Sequence, residues 1–303
     1  MEKLFLPINI GALDLAHRVV MAAASDHGRT GERQSAADCG ACVRHVSPGG
    51  LVITPPVPVS AAAASAPFLD GFDAPGAAAA WGGAIALAHV RKARVVARLW
   101  HSGRHAGQDS MLAAALDGAG IDAVIEDFRR AAEQAKRLGF DGVELDAADG
   151  SLPDQFLQDG VNRRTDRYGG SIQNRLNFLC ELVDAVAGVW SVERVGVRLS
   201  PFGQFRGMSD SDPVTLFATL LTTLGGQELP FVHLVRTAAD GAPLGHLPYE
   251  DSAAATRFRA AFPSAIIVSG AFTRQRAVEL VRSRWADAIG VETGMAEEGA
   301  GGR

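Results

Sequence analysis

Only three cysteines occur in 303 residues, too few for a disulfide framework, so a reducing interior and a cytoplasmic location are expected. No stretch approaches the about 20 consecutive apolar residues of a membrane-crossing helix. Met1–Pro7 carries neither the basic nor the apolar block of a signal peptide. The charges nearly cancel, 29 Lys plus Arg against 34 Asp plus Glu, for a formal net charge of -5. That balance offers no footprint for nucleic acid and none for an anionic membrane. There is no charge block, linker or low-complexity segment, only a bias toward Ala and Gly. No Gly-x-Gly-x-x-Gly follows the first strand-like run, which argues against a doubly wound dinucleotide fold. Metal-ligand spacing is also missing. Cys39 and Cys42 form a lone C-x-x-C with His45 close by, inside a helical stretch and without two further ligands, so a structural role is expected and no metal.

Alternation is the positive signal. Apolar runs of four or five residues fall at Val19–Ala22, Leu51–Thr54, Val95–Leu99, Gly142–Leu145, Val195–Leu199, Phe231–Val235, Ala265–Val268 and Ala288–Val291. They are rich in Val, Ile and Leu and mostly lack polar alternation, as do strands covered on both faces. Helical spacing fills the gaps, most clearly over Asp122–Leu138, Ile172–Trp190 and Arg274–Arg284. Asp212-Pro213 and Thr273 read as helix starts, and Gly139 as a helix stop. Eight such units in one chain predict an α/β fold, a single (β/α)8 TIM barrel domain over residues 1–303 with its chemistry on the loops after the strand C-termini. Leu4–His17 is expected to form a hairpin at the barrel bottom. After Val291, Gly294, Gly299, Gly301 and Gly302 disfavour a long closing helix, so a truncated or missing last helix is expected. Its loss would expose an apolar flank around Leu280 and Trp285.

Several segments carry a resemblance: Leu99-Trp100-His101-Ser102-Gly103-Arg104, Asp154-Gln155-Phe156-Leu157, Asn162-Arg163-Arg164-Thr165-Asp166, Tyr168-Gly169-Gly170-Ser171-Ile172, Asn174-Arg175 and Gly196-Val197-Arg198-Leu199-Ser200-Pro201. From about Leu4 to Val291 the chain resembles the old yellow enzyme family of flavin-dependent ene-reductases. The resemblance implies an FMN-binding barrel that reduces activated alkenes with hydride from NAD(P)H. It also implies a His-x-x-Asn or His-x-x-His pair, with a Tyr two residues on, where this chain has Asp146, Asp149 and Ser151. The flavin contacts of the family map onto Ser25, onto Arg98 in place of a Gln, onto Arg198, and onto Gly270 and Ala271. Its phosphate-binding Gly-Arg falls on Glu292 and Thr293, and its capping segment is shortened between His105 and Gly120. Carboxylates cannot donate to an enolate oxygen, and Glu beside a phosphate is unfavourable.

These replacements favour a flavin-independent, non-redox acid/base enzyme, an isomerase, lyase, dehydratase or cyclase on a small specialised metabolite, with no cofactor. Asp146 and Asp149 would be the proton-moving pair, their pKa values pushed apart. Asp26, His27 and His101 are further candidates for catalysis. Arg98 and Arg198, with Ser151, Trp100 and His233, are candidates for binding an anionic or enolising substrate. Arg175, Asp166 and Tyr168 would lock the loop beneath the pair. The alternatives are an FMN-dependent ene-reductase or dehydrogenase using NAD(P)H, with phosphate held by backbone amides, and a non-catalytic binding subunit. The expected partner is a small-molecule substrate, and a homo-oligomer is compatible with the open flank.

Overall fold

A computed structural model of the chain describes residues 2–22, 43, 46–64, 70–103, 113–204, 207–235, 253–270 and 272–291. A hairpin, β1 (Ile8–Ile10) with β2 (Leu13–Leu15), precedes eight parallel strands. These are β3 (Val19–Ala22), β4 (Leu51–Pro58), β5 (Arg94–Trp100), β6 (Gly142–Ala147), β7 (Val195–Leu199), β8 (Phe231–Val235), β9 (Ala265–Ser269) and β10 (Ala288–Val291), and β10 pairs with β3 to close the barrel. The described helices are α1 (Ala77–Val90), α2 (Gly118–Leu138), α3 (Leu152–Leu157), α4 (Ile172–Trp190), α5 (Pro213–Gly226), α6 (Ala253–Ala261) and α7 (Arg274–Arg282).

Helix ends follow local chemistry. The Asp212 carboxylate accepts from the Thr215 amide at 3.1 Å with Pro213 in the first turn, and Thr273 caps α7 through the Arg276 amide at 3.2 Å. Gly139, at φ 92°, ends α2 in the left-handed conformation that glycine adopts without strain. β4 outruns its apolar stretch because it passes through Pro55 and Pro56, where the register with β5 shifts between Ile53 and Pro56. The Thr54 hydroxyl accepts from the Arg98 amide at 3.1 Å, filling the gap in the ladder.

The strands divide the interior by alternation. Val143, Leu145, Ala147, Val195, Val197, Leu199, Val232 and Leu234 face the helices in the larger apolar cluster. The opposite face, at the N-terminal end of the barrel, is a separate apolar plug of Val20, Leu51, Ile53, Val96, Phe231, Ile267 and Ala288, sealed from below by Ile10, Leu13 and Leu15 of the hairpin. Gly196 makes that layer possible. It pairs with Phe231, and a methyl group at Gly196 would lie 2.0 Å from the Phe231 ring. Burying such a ring contributes about 1.5–3 kcal/mol.

The expected apolar flank does not occur among the described residues. Leu280 and Trp285 are buried, because the turn at Lys3–Phe5 lies along α7. Leu4 is buried in the same cluster, Lys3 donates to the Val281 carbonyl at 3.0 Å, and Arg274 pairs with Glu2 at 3.1 Å. The sequence beyond Val291, where the last helix was in question, lies outside the described residues, as do Cys39, Cys42 and His45.

Candidate active site at the barrel mouth

Above the apolar plug the barrel interior turns ionic. Inward positions toward the C-terminal ends of five strands carry Arg98 (β5), Glu144 and Asp146 (β6), Arg198 (β7), His233 (β8) and Ser269 (β9), all buried. Register brings them together: Arg98 stands opposite Glu144, Asp146 opposite Arg198, and Arg198 opposite His233. Two linked groups result.

In the first, Arg98 Nε donates to Glu144 Oε1 at 2.9 Å, His233 Nδ1 meets Glu144 Oε2 at 2.9 Å, and His233 Nε2 meets the Ser269 hydroxyl at 2.6 Å. A carboxylate only accepts, so Nδ1 carries the proton and Nε2 accepts from Ser269. Burial would raise the Glu144 carboxyl, but His233, Arg98 and Arg198 outweigh it and hold it at about 2. Burial lowers His233, which is neutral at pH 7. The Ser269 hydroxyl has room only because position 290 is glycine: a methyl group at Gly290 would lie 1.8 Å from it.

In the second group, Arg198 Nη1 donates to Asp146 Oδ1 at 3.1 Å and Nη2 to Asp149 Oδ2 at 2.7 Å. Those two carboxylates hold the guanidinium in its charged form against the desolvation of burial. Asp149 belongs to a tight turn with φ 56°, followed by Gly150 at φ 81°. The Asp149 amide donates to Ser200 Oγ at 2.9 Å, the Gly150 amide to Asp154 Oδ2 at 2.9 Å, and Ser151 Oγ to the Asp146 carbonyl at 2.9 Å. Among the described residues, two buried atoms of this group have no hydrogen-bond partner: the acceptor Asp146 Oδ2 and the donor Arg198 Nε.

Several expected roles change. Asp146 and Asp149 converge as expected, but Arg198 lies between them, so the pair is bridged by a cation and not by a shared proton. Arg98 faces Glu144, not the two aspartates. Burial pushes His101 down to about 4, and its Nδ1 accepts from the Gly103 amide at 3.3 Å. His233 has both ring nitrogens engaged, and Ser151 spends its hydroxyl on the turn, so neither is placed to hold substrate. Trp100 is fully buried at the end of β5. Gly270 follows β9, whereas Ser25, Asp26, His27 and Ala271 lie outside the described residues. The loop lock exists in altered form. Arg175 binds the Leu157 carbonyl and Asp210, Asp166 pairs with Arg164, and Asn162 Nδ2 ties the carbonyls of Phe156 and Tyr168 at 2.6 and 2.7 Å. Among the described residues no group of three or more His, Cys, Asp or Glu is placed to hold a metal ion.

Glu144 and Asp154 were missed in the sequence. Asp154 is fully buried in the first turn of α3, its oxygens accepting from Gly150 and, at 2.8 Å, from Gln158 Nε2. Burial raises its carboxyl to about 7, with Asp149 and Asp146 pushing the same way. A raised carboxyl contributes stability below its unfolded value of 3.8 that is lost as pH rises through about 7. Unfolding free energy is therefore expected to fall by about 2 kcal/mol between pH 5.5 and 7. In Asp154→Asn, with the Gln158 amide turned over to accept, that slope disappears; urea titrations at several pH values would check it.

A parallel eight-stranded barrel with buried charge gathered at the C-terminal ends of its strands defines a (β/α)8 enzyme scaffold with its site at that mouth. The chain belongs to the NADH:flavin oxidoreductase / NADH oxidase family, whose sequence profile matches residues 3–291. It is 30% identical over 319 residues to 12-oxophytodienoate reductase 2 of Arabidopsis thaliana, covering 94% of this chain and 83% of that one. A structure of morphinone reductase in complex with tetrahydroNAD superposes with a TM-score of 0.80 at 30% identity, covering 95% of this chain and 86% of the other. The old yellow enzyme homologue of Zymomonas mobilis gives a TM-score of 0.83 at 25% identity, covering 95% and 88%. The resemblance to old yellow enzymes is thus borne out.

These findings overturn the expectation of flavin-independent, non-redox chemistry. That expectation rested on single side chains at flavin and substrate positions, whereas the match spans nearly the whole barrel in a family of oxidoreductases.

Proposed function

We propose that the chain is an FMN-dependent oxidoreductase that takes hydride from NAD(P)H and reduces an activated double bond. Membership of the flavin oxidoreductase family carries this reading, and relatives named as reductases of 12-oxophytodienoate and of morphinone support it. The described residues fit the cofactor at one point that can be tested on the structure: Arg198 Nε is a buried donor with no acceptor of its own. A carbonyl oxygen on the pyrimidine edge of a flavin would answer it. Bound there, FMN would relay hydride between nicotinamide and substrate. Arg198 would orient the ring edge, and positive charge at Arg198 and Arg98 favours an electron-rich ligand. Glu144 and His233 keep Arg98 fixed below it, and a dry, ionic floor strengthens each of these interactions.

The test is a visible absorption spectrum of the purified protein after incubation with FMN and desalting. A retained flavin band that bleaches with NADPH or NADH under anaerobic conditions is the expected result. A colourless protein would overturn the proposal.

A further inference from the structure

Asp146 is the last inward-facing residue of β6, one position before the strand ends, because its neighbours Leu145 and Ala147 face the helices. Its carboxylate therefore lies toward the C-terminal mouth, where (β/α)8 scaffolds keep their chemistry. Oδ1 is satisfied twice, by Arg198 Nη1 at 3.1 Å and by the Ala148 amide at 3.2 Å. Oδ2 is buried and, among the described residues, has no donor. Donors nearby are spent elsewhere. Arg198 Nη2 goes to Asp149 at 2.7 Å, the Ser151 hydroxyl to the Asp146 carbonyl at 2.9 Å, and His233 Nδ1 to Glu144 at 2.9 Å. A buried carboxylate oxygen without a donor is costly, and native proteins supply a partner.

What this oxygen asks of a ligand is a hydrogen, not a charge. Arg198 already sets a guanidinium against both Asp146 and Asp149, so the pair has its cation. A ligand carbonyl placed against Oδ2 would set two acceptors face to face. A metal ion would have to displace Arg198, and among the described residues no group of three or more His, Cys, Asp or Glu is placed to hold one. The double bond to be reduced needs an activating carbonyl, and in a lactam or imide a neutral N–H lies directly beside that carbonyl. We infer that Asp146 Oδ2 accepts a hydrogen bond from such an N–H, so that the mouth selects unsaturated lactams and imides over unsaturated ketones and esters. The inference rests on the flavin oxidoreductase reading above and names the substrate class for the same mouth. Asp146 is then a specificity-determining residue, and Arg198 holds its other oxygen in place.

Calorimetric titration of the FMN-incubated protein without NAD(P)H tests it. The probes are the α,β-unsaturated lactam dihydropyridin-2-one, its N-methyl derivative, and the lactone of the same ring, dihydropyran-2-one. The lactone matches the lactam in shape and exchanges its N–H for an acceptor oxygen. The lactam is expected to bind about tenfold or more tightly than the lactone and than the N-methyl derivative, the range for a hydrogen bond to a charged group. Asp146→Asn keeps the shape and the contact with Arg198 but puts an amide NH2 where the orphan oxygen stands. There the lactam should weaken about tenfold, to parity with the lactone or below it. Equal or tighter binding of the lactone by the wild-type protein would overturn the inference, and that comparison does not depend on the variant folding. A lactam preference that survives Asp146→Asn undiminished would assign the N–H to another acceptor and overturn it as well. The absorption spectrum of the same sample separates the two proposals. A coloured protein without the lactam preference sinks only this inference, and a colourless protein with it sinks only the flavin.

Discussion

Arg198→Met is expected to destabilise the barrel by about 3–5 kcal/mol at pH 7, the range for breaking a buried ion pair from one side. A folded domain has only about 5–15 kcal/mol in all, so much of the native population is at stake. The reason lies in how many groups depend on one side chain. Arg198 is 5% exposed and holds both Asp146 and Asp149, which would be left buried and facing one another without a cation. Methionine fills the stem but returns none of the charge. Flavin retention should fall too, since the unanswered Nε goes with the guanidinium. Arg130→Met is the control: Arg130 is 58% exposed by its side chain and pairs with Asp127 on the outer face of α2, so its loss should stay within about 0.5 kcal/mol. Urea unfolding of the three proteins decides it. A loss below about 1 kcal/mol for Arg198→Met would mean that the two aspartates do not rely on this arginine.

How much of this was legible in the sequence depends on the range of the interaction. Val19–Ala22, Val195–Leu199, Phe231–Val235 and Ala288–Val291 coincide with strands end to end, and Ile172–Trp190 with a helix, because burial on both faces or one stripe writes itself into consecutive residues. β4 runs four residues past Thr54 because a side-chain hydroxyl of the strand, not a backbone carbonyl, accepts from the Arg98 amide, which no local pattern announces. The meeting of Asp146, Asp149 and Arg198 was anticipated through the resemblance. Their bridging by one guanidinium was not, and neither was the Arg175–Asp210 pair, whose members are 35 residues apart. Glu144 did leave a signal: it lies two residues before Asp146, on the same face of a strand, in an otherwise apolar run. Its burial among apolar neighbours hid it. Asp154 gave no such cue, since a short helix after a strand end reads the same whether its first-turn carboxylate faces water or protein.

Glu144 is the second position where a large effect is expected, and its pH dependence separates charge from packing. Glu144→Gln keeps the volume and can keep every hydrogen bond: the amide oxygen accepts from Arg98, the amide nitrogen donates to His233 Nδ1, and the imidazole moves its proton to Nε2 to donate to Ser269. Only the charge is lost, and Arg98, 1% exposed, loses the Glu144 carboxylate. The carboxyl is held at about 2 against a model-peptide value of 4.5. That depression is worth about 3 kcal/mol of stability at neutral pH by linkage. A depressed carboxyl contributes fully above its unfolded value and loses the contribution as pH falls toward the folded one. The wild-type protein should therefore exceed Glu144→Gln by about 3 kcal/mol at pH 7, and the gap should narrow from pH 4.5 downward as the carboxylate of the unfolded chain takes up its proton. Urea unfolding between pH 3 and 7 would show the convergence. A gap that stays constant over that range would assign the loss to packing, and the floor of the mouth would then be held by shape and not by the Arg98–Glu144–His233 charges.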